Sequence, residues 1–249
     1  MRSVIYIMWI RQIKKYLRSR SRIIGSLAQP LLFFLALGFG LGPVFAKANA
    51  GNYLDFLAPG IIAMSILFTA TFNGIELIWD KQFGFLKESL VAPVSRYKLM
   101  FGRCLGGATV ASVQGLIVLG LTMIFGFRPV SVLGVIISFI FMFLIAMFFT
   151  AIGTAIASKL EDMQGFQLIV NFFIMPVFFL SGALFPLDGL PSALGIVTRF
   201  DPLTYGVDGV RGALLGASHL GLWLDFGILA GVVIFVMALG TYLFSKMEV

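Results

Sequence analysis

The chain has 249 residues, of which 59% are hydrophobic and only 12% charged, with a formal net charge of +7. That balance excludes an ordinary soluble globular domain. One cysteine (Cys104) and one histidine (His219) leave no intrachain disulfide, no histidine-based triad and no two-histidine metal site.

Six apolar stretches are long enough to cross a bilayer, which takes about 20 residues each: 23–45, 56–79, 99–125, 130–157, 166–184 and 223–244. The expected fold class is therefore an all-α polytopic membrane protein. Alternating ten-residue segments, the mark of a β-barrel, are absent from the sequence. Lys47, Arg128, Arg199 and Arg211 fall at one end of the implied bundle, and the other fourteen of the 18 basic residues fall at the opposite end. Basic residues mark cytoplasmic loops, so both termini are expected in the cytoplasm of a cell-membrane protein. The positive charge then suits anionic lipid and needs no nucleic acid.

Residues 1–22 read as a cytoplasmic interfacial helix. Ile5, Met8, Trp9, Ile13, Tyr16 and Leu17 recur at helical spacing, with Arg11, Lys14, Lys15 and Arg18 mainly opposite. Trp9 and Tyr16 are expected at headgroup depth. A cleaved leader ending at Ala48-Asn49-Ala50 would be about 50 residues long, beyond the usual 15–30, so the helical reading is preferred. Gly38, Gly40 and Gly42 follow in the first span and suit close helix packing or a flexible helix end; they form no dinucleotide fingerprint, and no GxxxxGK[ST] phosphate loop occurs anywhere.

In the second span Glu76 lies about one turn from the basic end and Asn73 slightly deeper. Gln114 in the third span and Asn171 in the fifth are the other notable polar groups. Two readings stand for Asn73, Gln114 and Asn171: hydrogen bonds between helices, or contact with something translocated. The connection 79–103 carries an apolar ridge of Phe83, Leu86, Leu90 and Val91 beside Lys87 and Glu88, ended by Pro93. It suits a short cytoplasmic helix that docks a soluble partner through Phe83, Phe85, Leu86, Lys87, Glu88 and Leu90. Gly102 and Gly106 form a GxxxG pair for close packing, and Pro176 is expected to bend the fifth span. Residues 186–222 are too apolar for a solvated loop, and Pro186, Pro191 and Pro202 divide them into helical pieces at 190–200 and 204–215. Asp208 and Arg211 have the spacing of an ion pair, and Tyr205 can anchor at the interface. The stretch reads as a re-entrant outer gate or as a static lid.

LKESLVAPVSRYKLMFGR (residues 86–103) resembles the cytoplasmic segment of ABC-2 type permeases. LSGALFPLDGLPSALGIVTRFDPLTYGVDGVRGALLG (residues 180–216) is similar to the same family's outer helical hairpin, through Phe185, Pro186, Leu190, Pro191, Pro202, Tyr205 and Arg211. The order of the two motifs and the six spans extend the resemblance over essentially the whole chain, as one transmembrane domain at 23–249 with an outer re-entrant segment at 186–215. It implies a non-catalytic membrane subunit of an ATP-binding-cassette exporter. Its partners would be a second permease copy and two cytoplasmic ATPase subunits holding the ATP and magnesium. Its cargo would be an amphipathic drug, a lipid or a lipid-linked glycan. A membrane scaffold or assembly factor and an ion-coupled secondary transporter are the alternatives.

Overall fold

A computed structural model describes residues 3–47, 52–85, 94–187 and 191–246, and the regular structure among them is entirely helical. Six long helices are apolar enough to cross a membrane: α2 (Arg20–Lys47), α3 (Tyr53–Gln82), α4 (Arg96–Ile124), α5 (Val132–Lys159), α6 (Met163–Leu180) and α9 (Leu222–Ser245). Three shorter ones accompany them: α1 (Val4–Arg18), α7 (Ser192–Phe200) and α8 (Pro202–Leu215). The spans begin or end up to four residues from the apolar stretches, and polar residues cap several of the helix starts. Asn52 accepts from the Leu54 amide at 3.1 Å, Ser131 from Gly134 at 2.9 Å, Asp162 from Gly165 at 2.5 Å and Asp201 from Leu203 at 2.9 Å. Each side chain meets one of the amides a helix start leaves unpaired.

The bundle is built around α3, which packs against α2, α4, α5 and α8. In its most apolar stretch 83% of the residues are buried, against 17% in α2 and 22% in α6 and α9. Small residues make this possible. A side chain at Gly74 would strike the Gly153 carbonyl of α5, one at Gly153 the Thr71 carbonyl, and one at Gly60 the Ala183 carbonyl. Backbones thus meet where a driving force from water is missing and close van der Waals contact holds helices together.

The Gly102–Gly106 pair has a partner that the sequence did not reveal. α1 lies across it, with Ile5 and Met8 at Gly102 and Gln12 at Gly106. Trp9 Nε1 donates to Thr109 Oγ1 at 3.0 Å, and the Tyr16 hydroxyl donates to Gln114 Oε1. The polar tips of Trp9 and Tyr16 therefore turn onto α4, where headgroup depth was expected for them.

α8 runs back along α5. Leu214 O accepts from Val130 N at 2.9 Å, Gly209 sits on Phe141 and Gly206 on Ile145. Ile145 is about 20 Å along α5 from Val132 at 1.5 Å per residue, so the start of α8 is deep beside the spans. Eleven of the 14 α8 residues are buried, whereas α7 buries Thr198 alone.

The glycine contacts give a direct test. Gly74→Ala should lower stability by about 1–3 kcal/mol through overpacking. Gly231→Ala, with open space at its Cβ position, should be neutral or stabilising by up to about 1 kcal/mol. Apparent melting in detergent separates the two.

Candidate coupling and translocation site

Two carboxylates one helical turn apart, Glu76 and Asp80, are buried at the end of α3 where the basic residues gather. Asp80 is 5% exposed and takes Arg11 in a two-point contact (2.8 and 3.2 Å) and Arg103 Nη1 at 2.6 Å. Glu76 pairs with Arg22 and, at 3.3 Å, with Lys15. Four cations from α1, α2 and α4 thus close on one turn of α3. A buried ion is costly unless paired and hydrogen-bonded, so this arrangement fixes how the three helices sit on α3. The next two residues extend it. Lys81 Nζ donates to the carbonyls of Ala157, Ser158 and Leu160 (3.1, 2.7 and 3.0 Å), meeting the open carbonyls at the α5 C-terminus, and Gln82 donates to Glu161 O at 3.0 Å.

The 79–103 connection leaves from this point. The Arg11 guanidinium stacks over the Phe85 ring at 3.8 Å, and Phe83 is 83% exposed. Leu86, Lys87, Glu88 and Leu90 lie outside the described residues.

Beside the cluster runs a groove. Lys15, Arg22, Phe72, Glu76 and Trp79 line a cavity of about 450 Å³. Arg22 and Phe72 also line a second one of about 350 Å³, which continues past Ser26 and Gln29 of α2 to Ser65 and Thr69 of α3. Ser65 is 1% exposed, its hydroxyl has no partner among the described residues, and it lies about 25 Å along α3 from Gln82. Spacing held a signal for these residues: 65, 69, 72, 76 and 79 share one face of α3, and 22, 26 and 29 one face of α2.

The three amides divide. Asn73 Nδ2 donates to Gly107 O at 3.4 Å while its Oδ1 accepts from Arg22 at 3.2 Å, and Gln114 accepts from Tyr16. Both join helices, the first of the two readings. Asn171 is exposed on α6 and lines neither cavity.

At the opposite end, Pro191 caps α7 and Pro202 opens α8. Tyr205 is 8% exposed, and its hydroxyl donates to Arg199 O at 2.7 Å, tying α8 to α7. Asp208 and Arg211 do not form the ion pair their spacing suggested. Asp208 accepts from the amides of His219 (2.9 Å) and Leu220 (2.8 Å), closing the loop before α9. Arg211 donates to Phe56 O at 3.3 Å and Gly182 O at 3.0 Å and stacks on the Phe56 ring at 4.2 Å. Backbone groups outcompete the neighbouring side chain because helix ends and turns leave them unpaired. Pro186 lines a cavity of about 420 Å³ with Thr204, Asp208 and Arg211. Between α7 and α8 the Asp201 carboxyl is buried: its Oδ1 caps α8, and its Oδ2 has no partner among the described residues.

The pattern of ABC-2 type transporters matches residues 3–215. The chain belongs to the ABC-2 type transporter family. Similar proteins include nodulation protein J of Rhizobium meliloti (strain 1021), 30% identical over 227 residues, 90% of this chain and 86% of that one. The inner membrane transport permease YadH of Escherichia coli (strain K12) is 24% identical over 232 residues, 92% and 89% of the two chains. A ycf38 transport permease of Cyanophora paradoxa is 31% identical over 194 residues, 76% of this chain and 66% of that one. Membership makes this permease a membrane subunit of an ATP-binding-cassette transporter, partnered by a cytoplasmic ATPase.

One outcome follows for the charged groups. Asp80→Asn leaves Arg11 and the buried Arg103 uncompensated and should cost about 3–5 kcal/mol; Asp80→Leu with Arg103→Met should recover part of that in apparent melting.

Proposed function

We propose that this permease is half of an exporter's translocation pathway, with its basic end in the cytoplasm as the charge asymmetry of the loops favours. Two copies would face each other, and two ATPase subunits would dock on the 76–94 connection and on α1. ATP and magnesium belong to those subunits. The observation that carries this reading is the pair of cavities that share Arg22 and Phe72 and extend from Lys15 and Trp79 to Ser65, beginning at the same turn of α3 that the docking connection leaves.

The coupling has a physical route. A displacement at 83–95 acts on Phe85 and Arg11, and the clamp on Glu76 and Asp80 passes it to α1, α2 and α4 together. Lys81 and Gln82 pass it to the α5–α6 turn. At the far end of α3, Arg211 joins α8 to Phe56 O, so a shift of α3 reaches the outer segment. That segment is the re-entrant gate: α8 stays packed in the bundle while the exposed α7 moves against it. Pro186, Pro191, Pro202, Tyr205, Asp208 and Arg211 shape and hold it. The cargo is amphipathic, since the groove offers Ser65, Thr69, Ser26 and Gln29 beside the rings of Phe68 and Phe72. The ion-coupled alternative is less well supported, because Glu76 and Asp80 are neutralised by fixed cations.

Reconstitution with the cognate ATPase tests this. Ser65→Leu and Thr69→Phe should lower transport about tenfold, the effect of 1.4 kcal/mol on a rate, with ATPase binding unchanged. Phe85→Ala should instead uncouple hydrolysis from transport. In a Cys104→Ser background, cysteines at Gln82 and Ser192 should label from opposite membrane faces with an impermeant reagent. Full transport in both groove variants removes the path, and labelling from one face removes the topology.

A further inference from the structure

A cleft of about 870 Å³, larger than either cavity of the groove, opens between α5, α6 and α9, walled by Ile152 and Ile156, by Phe172 and Phe173, and by Leu239 and Leu243. The walls are apolar side chains throughout, and the lining ends in a single cation, Lys159, at the basic end of the bundle. α6 stands off from the spans beside it: Phe172 is 86% exposed and Phe173 51%. In a bilayer such a cleft is not left empty, because the lining would forfeit its dispersion contacts. Along α5 from Ile152 to Lys159, and along α9 from Val236 to Leu243, it is about 10 Å long. That is within the roughly 15 Å of one leaflet, half of the hydrocarbon core.

We infer that this cleft holds the acyl chains of an anionic phospholipid from the leaflet bordering the basic end, with its phosphate at Lys159. Charge selects the headgroup. No carboxylate pairs with Lys159 among the described residues, and its position lets the apolar stem follow the wall while the ammonium stays at the polar boundary. Lys246, one turn beyond Leu243 and stacked on the Tyr242 ring at 4.5 Å, adds a second cation at the same end. The lipid would be resident: it fills the gap behind α6 and holds that helix off the bundle at a fixed distance. The inference depends on the membrane-spanning fold alone, whatever cargo is carried.

Lipid competition on the purified full-length chain tests it, read by native mass spectrometry in mild detergent with phosphatidylglycerol and phosphatidylcholine of equal chain length. Wild type should retain one phosphatidylglycerol in preference to phosphatidylcholine. Lys159→Gln should cut that preference about fivefold, the weight of one cation against anionic headgroups. Leu239→Trp, which fills the cleft from a partly exposed position, should reduce retention of both lipids while the size-exclusion profile stays that of wild type. Equal retention of the two lipids, unchanged by either variant, reduces the cleft to ordinary lipid annulus and overturns the inference. An unchanged headgroup preference in Lys159→Gln overturns the phosphate assignment. Disulfide cross-linking of two chains through Phe172→Cys, in the Cys104→Ser background, makes the cleft an interface between copies and overturns it as well.

Discussion

Burying two carboxylates in a bundle this apolar is the constraint on which the rest of the structure depends. Neither Glu76 nor Asp80 can be left unpaired without a penalty of several kcal/mol, and the end of α3 supplies no cation able to reach both. The partners come from three other helices, so α1, α2 and α4 are each held at a set height and rotation on α3. Hydrophobicity cannot impose such a register in a membrane, where lipid tails are as apolar as leucine. The glycine contacts supply the complementary part: Gly74, Gly153 and Gly60 let backbones touch, and Gly102 and Gly106 let α1 settle onto α4. Together, charge sets the position and small residues set the distance.

The same cluster explains how a short amphipathic helix becomes an integral part of the transmembrane unit. Free at the interface, α1 would present Arg11 and Lys15 to lipid headgroups and bury its apolar stripe among the acyl chains. Here Ile5, Met8, Trp9 and Tyr16 of the stripe are against α4 while Leu17 stays exposed, and the two cations close over α3. Arg11 then meets both Asp80 and Phe85, so the chain's first helix and its connection between the second and third spans share one side chain. A surface that binds a partner at either element therefore acts on both.

At the opposite end the logic differs. Asp208 and Arg211 could have neutralised each other, yet each serves backbone groups instead, Asp208 the turn before α9 and Arg211 the beginning of α3 and the end of α6. Non-helical backbone is tolerated deep in a bundle only when its polar groups are met by protein or water. α8, with Asp201 as its cap and Gly216 in the left-handed conformation at its end, meets that demand and stays buried. α7 does not share in it and lies at the surface. Residues 191–215 thus join a fixed piece to an exposed one, which is the mechanical basis of the proposed gate.

How much of this was written in the sequence follows from the range of the forces. Span number and approximate limits were legible, because a helix in lipid must be long and apolar whatever its neighbours are. The amphipathicity of α1 and the division of 186–215 by Pro191 and Pro202 were legible too, since caps and proline act within one turn. The Gly102–Gly106 spacing announced close packing without naming α1 as the partner. Spacing alone points Trp9 and Tyr16 to headgroups, gives Asp80 no partner and offers Asp208 its nearest cation. Each depends on residues tens of positions away, such as Thr109, Gln114, Arg103 and His219. The groove is the intermediate case: Ser65, Thr69 and Phe72 share a helical face, but only the packing of α2 on α3 decided that this face lines a cavity. Sequence by itself determined which segments must be buried in the membrane, because that cost is local and additive; tertiary structure alone decided which polar groups meet, because an ion pair or hydrogen bond acts only at contact distance.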